Sequence, residues 1–198
     1  KADLAKNTWE YVALYSSSSL ERDWDRMRSN DGNSDPNDKS VIYIGIMNDF
    51  HVGDCTLEGA VMKFKLGETI ECSCVYDGIK IPNSINFVGK EKIYLTDSLN
   101  FQILEIPDGS FILNNKYFVT AVWSTSKIQV YDLNDAKLVY QYLIPDADRI
   151  SCCCLSAKTN KIIVTTASQT IDTKGTTNDD LNGALFEIEL KDLVSESN

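Results

Sequence analysis

Short apolar segments separated by polar turns run through most of the chain. The apolar segments are rich in Val, Ile, Tyr, Phe and Thr, and the residues between them are mainly Gly, Asn, Asp and Ser. Apolar residues spaced three and four apart, which would indicate amphipathic helices, are almost absent. This pattern predicts an all-β protein. The clearest predicted strands are 41–46, 59–66, 69–76, 92–96, 117–123, 127–133, 138–144, 150–155, 161–166 and 184–190.

Two strand motifs repeat along the chain. The first is a lysine, three apolar or aromatic residues and a threonine, found at 92–96, 116–120 and 161–165, with a looser copy at 41–45. The second is Gly-Ala followed by two apolar residues, found at 59–62 and 183–186. Repeated strand units of this kind are typical of β-propellers, so we expect a propeller fold.

The spacing between the repeats indicates the size of a blade. The intervals from Gly45 to Thr96 and from Thr120 to Thr165 are 51 and 45 positions, and a propeller blade contains roughly 40 to 50 residues. The interval from Thr96 to Thr120 is only 24 positions. We therefore expect residues to be missing from the chain near 101–105, and upstream as well. Because an open arc of blades would expose strand edges, residues 1–198 are expected to be a single, incomplete propeller domain.

Composition and charge exclude several classes of partner. The chain has 198 residues, of which 43% are hydrophobic, and is long enough to bury a core. Its net charge of −10 argues against a nucleic-acid partner, because phosphate binding requires a basic surface. It has no apolar run of roughly 18 residues and no signal-peptide pattern, so we expect a cytoplasmic protein without a membrane segment. The spacing of the six cysteines does not indicate a disulfide framework, which favours a reducing compartment.

Several kinds of catalytic or metal site are also excluded. His51 is the only histidine, and no serine lies in a Gly-x-Ser-x-Gly sequence, so neither a three-histidine zinc centre nor a serine-hydrolase elbow can be formed. Segment 30–38 is rich in Asp and Asn but lacks the residue order of an EF-hand. Cys72 and Cys74 alternate along a strand and therefore share one face, which favours core packing over a thiolate metal site.

Four short motifs occur in a fixed order, and they carry a family resemblance. They are Arg-Ser-Asn-Asp-Gly at 28–32, Glu-Gly-Ala at 58–60, Ile-Pro-Asn-Ser at 81–84 and Ile-Pro-Asp-Gly at 106–109, with further matches at 94–99, 150–153 and 183–186. In this order they resemble the regucalcin, senescence-marker-protein and gluconolactonase family, over roughly residues 28–190. The resemblance implies a six-bladed β-propeller that hydrolyses sugar lactones with a divalent metal ion on the propeller axis.

The resemblance also implies roles for individual residues. Asn83 would supply an amide oxygen and Asp108 a carboxylate to the metal, and Asp108 would also be the general base. Arg28, Asn30 and Glu58 would bind the sugar lactone, and Asp97 would lie near the same opening. There are two departures from the family pattern. Ser84 stands where the family has glycine, and the N-terminal glycine-flanked glutamate that completes the metal site is not visible.

Other interpretations of these residues remain open at this stage. Asn83 and Asp108 follow prolines and precede Ser and Gly, as ordinary turn residues do. Arg28 lies close in sequence to Asp25 and Asp31 and could form a surface ion pair. Oxygen ligands favour Ca²⁺, Mg²⁺ or Mn²⁺, and members of the family also accept Zn²⁺. The alternative to a lactonase is a non-catalytic propeller that binds calcium or a protein partner; the sequence does not predict the oligomeric state.

Overall fold

Antiparallel strands make up most of the chain that the computed structural model describes, which is residues 2–10, 20–49, 58–90, 92–98, 106–168 and 181–190. Within these residues there is one short 3₁₀ helix, Trp24–Arg26, and no α-helix, and no helix is long and apolar enough to cross a membrane. The strands are β1 (Ala2–Asp3), β2 (Thr8–Trp9), β3 (Met27–Ser34), β4 (Val41–Asn48), β5 (Gly59–Lys65), β6 (Glu71–Ile79), β7 (Pro82–Val88), β8 (Lys92–Asp97), β9 (Ile106–Leu113), β10 (Tyr117–Trp123), β11 (Lys127–Asp132), β12 (Leu138–Leu143), β13 (Ile150–Leu155), β14 (Lys161–Thr166) and β15 (Leu185–Glu189).

The strands pair with their neighbours in sequence. Apart from the small β1–β2 pair, the described residues form four sheets, with the strand orders β3-β4-β5-β6, β7-β8, β9-β10-β11-β12 and β13-β14-β15. We call these sheets the first, second, third and fourth blades. In each blade the first strand in sequence lies at one edge of the sheet. Strand β3 contacts β7, β7 contacts β9, and β9 contacts β13. This succession of inner strands is the arrangement of a β-propeller, as the repeats predicted.

Apolar side chains on alternate strand positions bury the faces between blades. Between the third and fourth blades lies a cluster that includes Val119, Ile128 and Ile162, each 0% exposed. A second cluster, with Tyr43 and Ile85, joins the first blade to the second. Because side chains of a strand point to opposite faces in turn, the third blade presents one set of residues to the fourth blade and another to the second.

The packing predicted for Cys72 and Cys74 is found in the structure, whereas the predictions for residues 101–105 and His51 are not tested by it. Cys72 and Cys74 pack against the apolar cluster on one face of the first blade, as their spacing predicted. The residues near 101–105, where a gap in the chain is expected, lie outside the described residues, as does His51, so those predictions stand untested. Within the described residues, the second blade has two strands where the first and third have four.

The contact between the first two blades depends on a glycine. A Cβ atom at Gly45, on β4, would lie 2.6 Å from the Pro82 carbonyl oxygen and 3.0 Å from the Pro82 Cβ on β7. These distances are shorter than van der Waals contact, so a side chain at position 45 would force β7 away from the first blade.

We expect Gly45→Ala to lower the free energy of unfolding by about 1–3 kcal/mol, because overpacking at a blade interface strains the backbone. Urea denaturation followed by circular dichroism measures this loss. Gly67→Ala, in an exposed turn where the nearest atom to the new Cβ is a carbonyl oxygen 3.3 Å away, is the matched control and should change stability much less. Equal stability of the two variants would contradict the proposed strand contact.

Candidate metal and substrate site

The inner strands carry most of the residues that the sequence singled out. Arg28 and Asn30 lie on β3, Asn83 on β7 and Asp108 on β9. Since β3, β7 and β9 are adjacent around the axis, three successive strands each bring a polar segment to the same region. Glu58 differs from the others, because it immediately precedes β5 in the interior of the first blade.

Asn83 and Asp108 are in direct contact. The Asn83 side-chain amide donates hydrogen bonds to an Asp108 carboxylate oxygen and, over 2.9 Å, to the Ser98 hydroxyl. The Ser98 hydroxyl in turn donates to the Pro107 carbonyl oxygen over 2.7 Å. The structure thus brings together the two predicted metal ligands, 25 residues apart in sequence, and joins them by a hydrogen bond from the uncharged Asn83 amide.

Burial makes the Asp108 carboxyl a weaker acid than an exposed aspartate. Its pKa is raised to about 6, mainly by desolvation and to a smaller extent by the charge of Asp31, while hydrogen bonds from Asn83 and the Gly109 backbone act in the opposite direction. Burial also raises the pKa of Asp31, although the Gly32 backbone N–H donates to its carboxylate over 2.7 Å. Asp31 was not predicted as a site residue. It lies inside the Arg-Ser-Asn-Asp-Gly motif, directly after Asn30, and that position was the available signal.

The residues around Asp108 could form part of the coordination shell of a hard divalent cation. A half-buried carboxylate beside a second carboxylate is destabilised by mutual repulsion, and a cation between them would offset that repulsion. Asp108, Asp31 and the amide oxygen of Asn83 are the oxygen donors that such ions prefer. Among the described residues no group of three His, Cys, Asp or Glu side chains could hold a metal, so the acids present supply only part of a coordination shell.

Arg28 and Asn30 flank this centre on β3. The Arg28 guanidinium lies 3.7 Å from an Asp49 carboxylate oxygen, and its side chain is 40% exposed. An ion pair of Arg28 was foreseen as the alternative interpretation, although with Asp25 or Asp31 rather than Asp49. The exposed Asn30 side chain donates to the Pro82 carbonyl oxygen over 3.3 Å and so tethers β3 to β7.

Glu58 is held by the first blade. Its carboxylate accepts a hydrogen bond of 2.6 Å from the buried Asn48 amide at the end of β4, and its backbone carbonyl oxygen accepts one of 3.0 Å from Arg22. Among the described hydrogen bonds and ion pairs, none joins Glu58 to Asn83 or Asp108. The structure therefore groups Asn83 with Asp108, and it places Glu58 in a separate hydrogen-bonded cluster.

Asp97 anchors the start of β7. Its carboxylate accepts hydrogen bonds from the backbone N–H groups of Lys80 and Ile81, at 3.2 and 3.0 Å. Asp97 was expected near the opening of the site. These contacts show a positioning role, because they fix the segment that leads directly into Pro82 and Asn83.

Ser84 has a partner network that a glycine could not form. Its hydroxyl accepts hydrogen bonds from the Ser110 hydroxyl and the Asn86 amide, at 2.7 and 2.8 Å, and donates one to the Ser110 carbonyl oxygen over 3.2 Å. Ser84 is 1% exposed. The departure from the family pattern at this position thus cross-links β7 to β9 next to Asp108.

Cys152 also borders the acidic centre and was not predicted to do so. A Cβ atom on Gly109 would lie only 2.5 Å from the Cys152 sulfur, so the glycine that follows Asp108 leaves the space that the thiol occupies. Burial raises the pKa of Cys152, and the charges of Asp31 and Asp108 add to this effect. The thiol therefore stays protonated beside the two carboxyl groups.

Comparison of the sequence with known proteins points to one family. The family model described as SMP-30/Gluconolactonase/LRE-like region matches residues 2–107 and 104–168. An uncharacterized protein of Saccharomyces cerevisiae is 35% identical over 222 residues, which cover 92% of this chain and 60% of that protein. The chain therefore spans less than two thirds of the length of this relative.

Two solved structures share the fold. A luciferin-regenerating enzyme superposes with a TM-score of 0.66 and 18% identity, over 83% of this chain and 62% of that one. A calcium-binding protein, regucalcin, from Agrobacterium tumefaciens superposes with a TM-score of 0.64 and 21% identity, over 82% of this chain and 61% of that one. At these identities the likeness establishes the fold, and it confirms the all-β propeller predicted from the repeats.

The pKa of Asp108 gives the metal-free protein a defined pH dependence. In the unfolded chain an aspartate ionises near pH 4, whereas folded Asp108 holds its proton up to about pH 6. The folded state therefore binds more protons between these values, and this carboxyl makes stability fall as the pH rises through that window. We expect Asp108→Asn to remove this contribution and to be more stable than the unsubstituted chain by up to about 2 kcal/mol at pH 7, with little difference at pH 4.

Urea denaturation at a series of pH values in the presence of a chelator measures this difference. Asp135→Asn is the control, because Asp135 is exposed and a hydrogen bond from Lys137 lowers its pKa, so its removal should bring no gain at pH 7. An Asp108→Asn variant that is no more stable than the unsubstituted chain at pH 7 would show that the buried carboxyl is not destabilised.

Proposed function

This chain belongs to the SMP-30/gluconolactonase/LRE-like family, and we propose that it is a metal-dependent hydrolase of sugar lactones. The observation that carries the proposal is the Asp108 carboxyl, which is buried next to Asn83 and Asp31 with a pKa of about 6. A carboxyl with this pKa is largely ionised near neutral pH and is still basic enough to accept a proton, which is what a general base requires.

The substrate class follows from the chemistry available. A lactone is a cyclic ester, and its hydrolysis develops negative charge on the carbonyl oxygen. A divalent ion held by Asn83 and Asp108, with Asp31 adding charge, would polarise that carbonyl. The Asp108 carboxylate takes a proton from the attacking water and returns it to the ring oxygen as the ester C–O bond breaks, so that the product is the open-chain hydroxy acid.

Arg28, Asn30 and Glu58 are proposed to recognise the sugar. Arg28 and Asn30 lie on β3 beside Asp31, and their N–H groups would donate to sugar hydroxyls or to the ring oxygen. Glu58 would accept from a hydroxyl group. Because Glu58 is already paired with Asn48 over 2.6 Å, its participation requires that hydrogen bond to be exchanged for one to substrate, and its contribution should be the smallest of the three.

The proposed metal is a hard divalent cation. The oxygen donors around Asp108 favour Ca²⁺, Mg²⁺ or Mn²⁺, and the structurally similar regucalcin is described as a calcium-binding protein. Zn²⁺ also accepts oxygen ligands. The proposed location is the reducing cytoplasm, which agrees with the free thiols of the five described cysteines.

A non-catalytic propeller that binds calcium or a protein partner is the second candidate. It is favoured by one observation, namely that the described residues contain no group of three acidic, histidine or cysteine ligands. A site with few ligands can bind an ion weakly and still lack the rigid geometry that catalysis requires. The two candidates differ in whether the bound ion supports hydrolysis.

Hydrolysis of a simple aldonolactone tests the proposal. The protein is stripped of metal with a chelator, then assayed with Ca²⁺, Mg²⁺, Mn²⁺ or Zn²⁺ while ion binding is followed separately by calorimetry. We expect at least one ion to restore activity, and Asp108→Ala to reduce kcat by about 100-fold or more, since loss of a general base typically costs that much. Asn83→Ala should weaken ion binding. Glu68→Ala, at an exposed turn, is the control and should keep full activity.

The outcomes separate the two candidates. Ion binding that depends on Asp108, without hydrolysis of any of several aldonolactones, would reject the lactonase and favour the calcium-binding propeller. Hydrolysis that is unchanged in Asp108→Ala would reject the assigned site.

A further inference from the structure

The Ser98 hydroxyl, directly after β8, lies between the segments that carry Asn83 and Asp108. It donates to the Pro107 carbonyl oxygen over 2.7 Å and accepts from the Asn83 side-chain amide over 2.9 Å. Ser98 is 7% exposed, so both hydrogen bonds form away from bulk water. Segment 94–99 matched the family pattern, yet the resemblance implied no role for Ser98.

The backbone of Ser98 is fixed to the segment that leads into β7. The Ser98 backbone N–H donates to the Ile81 carbonyl oxygen over 3.1 Å. The carboxylate of the preceding residue, Asp97, accepts from the Ile81 backbone N–H over 3.0 Å. Both backbone groups of Ile81 are therefore held, two residues before Asn83. As a result, the Ser98 hydroxyl keeps a set position relative to the Asn83 amide.

A β-bulge over residues 82–85 brings two consecutive side chains of β7 to β9. Consecutive side chains of a regular strand point to opposite faces, but here the pairing of β7 with β8 shifts by one residue. Asn83 bonds to Asp108 and Ser84 bonds to Ser110, both on β9. A bulge changes the direction of a side chain relative to the regular alternation. Local hydrogen bonds therefore have to set the orientation of the Asn83 amide.

The hydrogen-bond partners of the Asn83 amide permit one orientation. A hydroxyl group carries a single proton, and Ser98 donates that proton to Pro107. Ser98 can therefore only accept from Asn83, and an ionised Asp108 carboxylate is likewise an acceptor. Both neighbours require the NH₂ group of the amide. Within the described residues no hydrogen bond is donated to the Asn83 Oδ1, so this oxygen is available to a cation.

We propose that Ser98 is a positioning residue, which holds the Asn83 amide so that its oxygen can bind the metal ion. The inference rests on the proposed function, in which Asn83 is a metal ligand. Without the Ser98 hydroxyl the amide would be free to turn over and present its NH₂ group to the ion, and this group cannot coordinate a cation. Loss of a partner that orients a metal ligand typically lowers metal affinity by about 10- to 100-fold.

A purely structural role for Ser98 predicts a different result. In that case, loss of any buried hydroxyl between these strands would loosen the site to a similar extent. Ser110 provides the matched control, because its hydroxyl joins β9 to β7 by donating to Ser84 over 2.7 Å. Among the described hydrogen bonds, none joins the Ser110 side chain to Asn83 or Asp108.

Ion binding by variants of Ser98 and Ser110 tests the inference. The ion that the unsubstituted chain binds most tightly among Ca²⁺, Mg²⁺, Mn²⁺ and Zn²⁺ is titrated into each variant by calorimetry. Luminescence lifetimes of bound Eu³⁺ in H₂O and D₂O count the water molecules on the ion. We expect Ser98→Ala to bind the ion at least about tenfold more weakly and to hold about one more water molecule on Eu³⁺ in place of the Asn83 oxygen. Ser98→Thr, which keeps the hydroxyl, and Ser110→Ala should each stay within about threefold of the unsubstituted chain.

Nuclear magnetic resonance of the metal-free chain at neutral pH tests the amide orientation separately. Both side-chain amide protons of Asn83 have acceptors, which are Ser98 and Asp108. We expect Ser98→Ala to speed their exchange with solvent at least about tenfold, and Ser110→Ala to leave it within about twofold. The Asn83 signals are identified by their absence from Asn83→Ala. Thermal unfolding checks that each variant is folded.

Equal ion affinity or equal amide exchange in Ser98→Ala and the unsubstituted chain would overturn the inference. An equal loss of affinity in Ser110→Ala would do the same, since it would indicate a general loosening of the contact between β7 and β9. A folded Ser98→Thr that binds as weakly as Ser98→Ala would also overturn it. In each of these cases the unsubstituted chain still binds the ion, so the proposed metal site stands. An unsubstituted chain that binds none of the four ions would instead reject the metal site, and this inference with it.

Discussion

The burial of the Asp108 carboxyl between inner strands is the constraint on which the candidate site depends. This carboxyl group is desolvated beside a second carboxyl, and hydrogen bonds from Asn83 and the Gly109 backbone partly offset the cost of its charge. These donors are effective only if β7 and β9 keep a fixed spacing. The spacing depends in turn on blade packing, because Gly45 allows the first blade to lie against Pro82.

The sequence predicted the outer strands and the inner strand β13 far better than the inner strands β3, β7 and β9. Strands such as β4, β10 and β14 alternate apolar residues and were predicted nearly to their ends. Strands β3, β7 and β9 carry Asn, Asp, Pro and Gly, which are typical of turns, and their polar faces line the axis instead of a core. The Asn, Asp, Pro and Gly residues that make these strands look like turns are also the residues of the site motifs. A family resemblance was therefore needed to interpret them.

The sequence indicated some residues of the candidate site and not others. The contact of Asn83 with Asp108 agrees with the shared role that the resemblance implies. Asp31 and Cys152 lie inside the matched segments 28–32 and 150–153, but only the packing of the strands shows that they border the same centre. Strand β8 also supports this centre, because the Thr96 hydroxyl donates to the Asp108 carbonyl oxygen over 3.3 Å.

The hydroxyl and amide network of Ser84, Asn86 and Ser110 contains no ionisable group. Its hydrogen bonds therefore keep their strength when acidity or ionic strength changes, unlike a salt bridge in the same place. Since this network joins β7 to β9, these links in the backbone frame around Asp108 do not depend on the charge of Asp108 itself. The carboxyl can gain or lose a proton while its scaffold stays still, so a change in its charge costs little structural reorganisation.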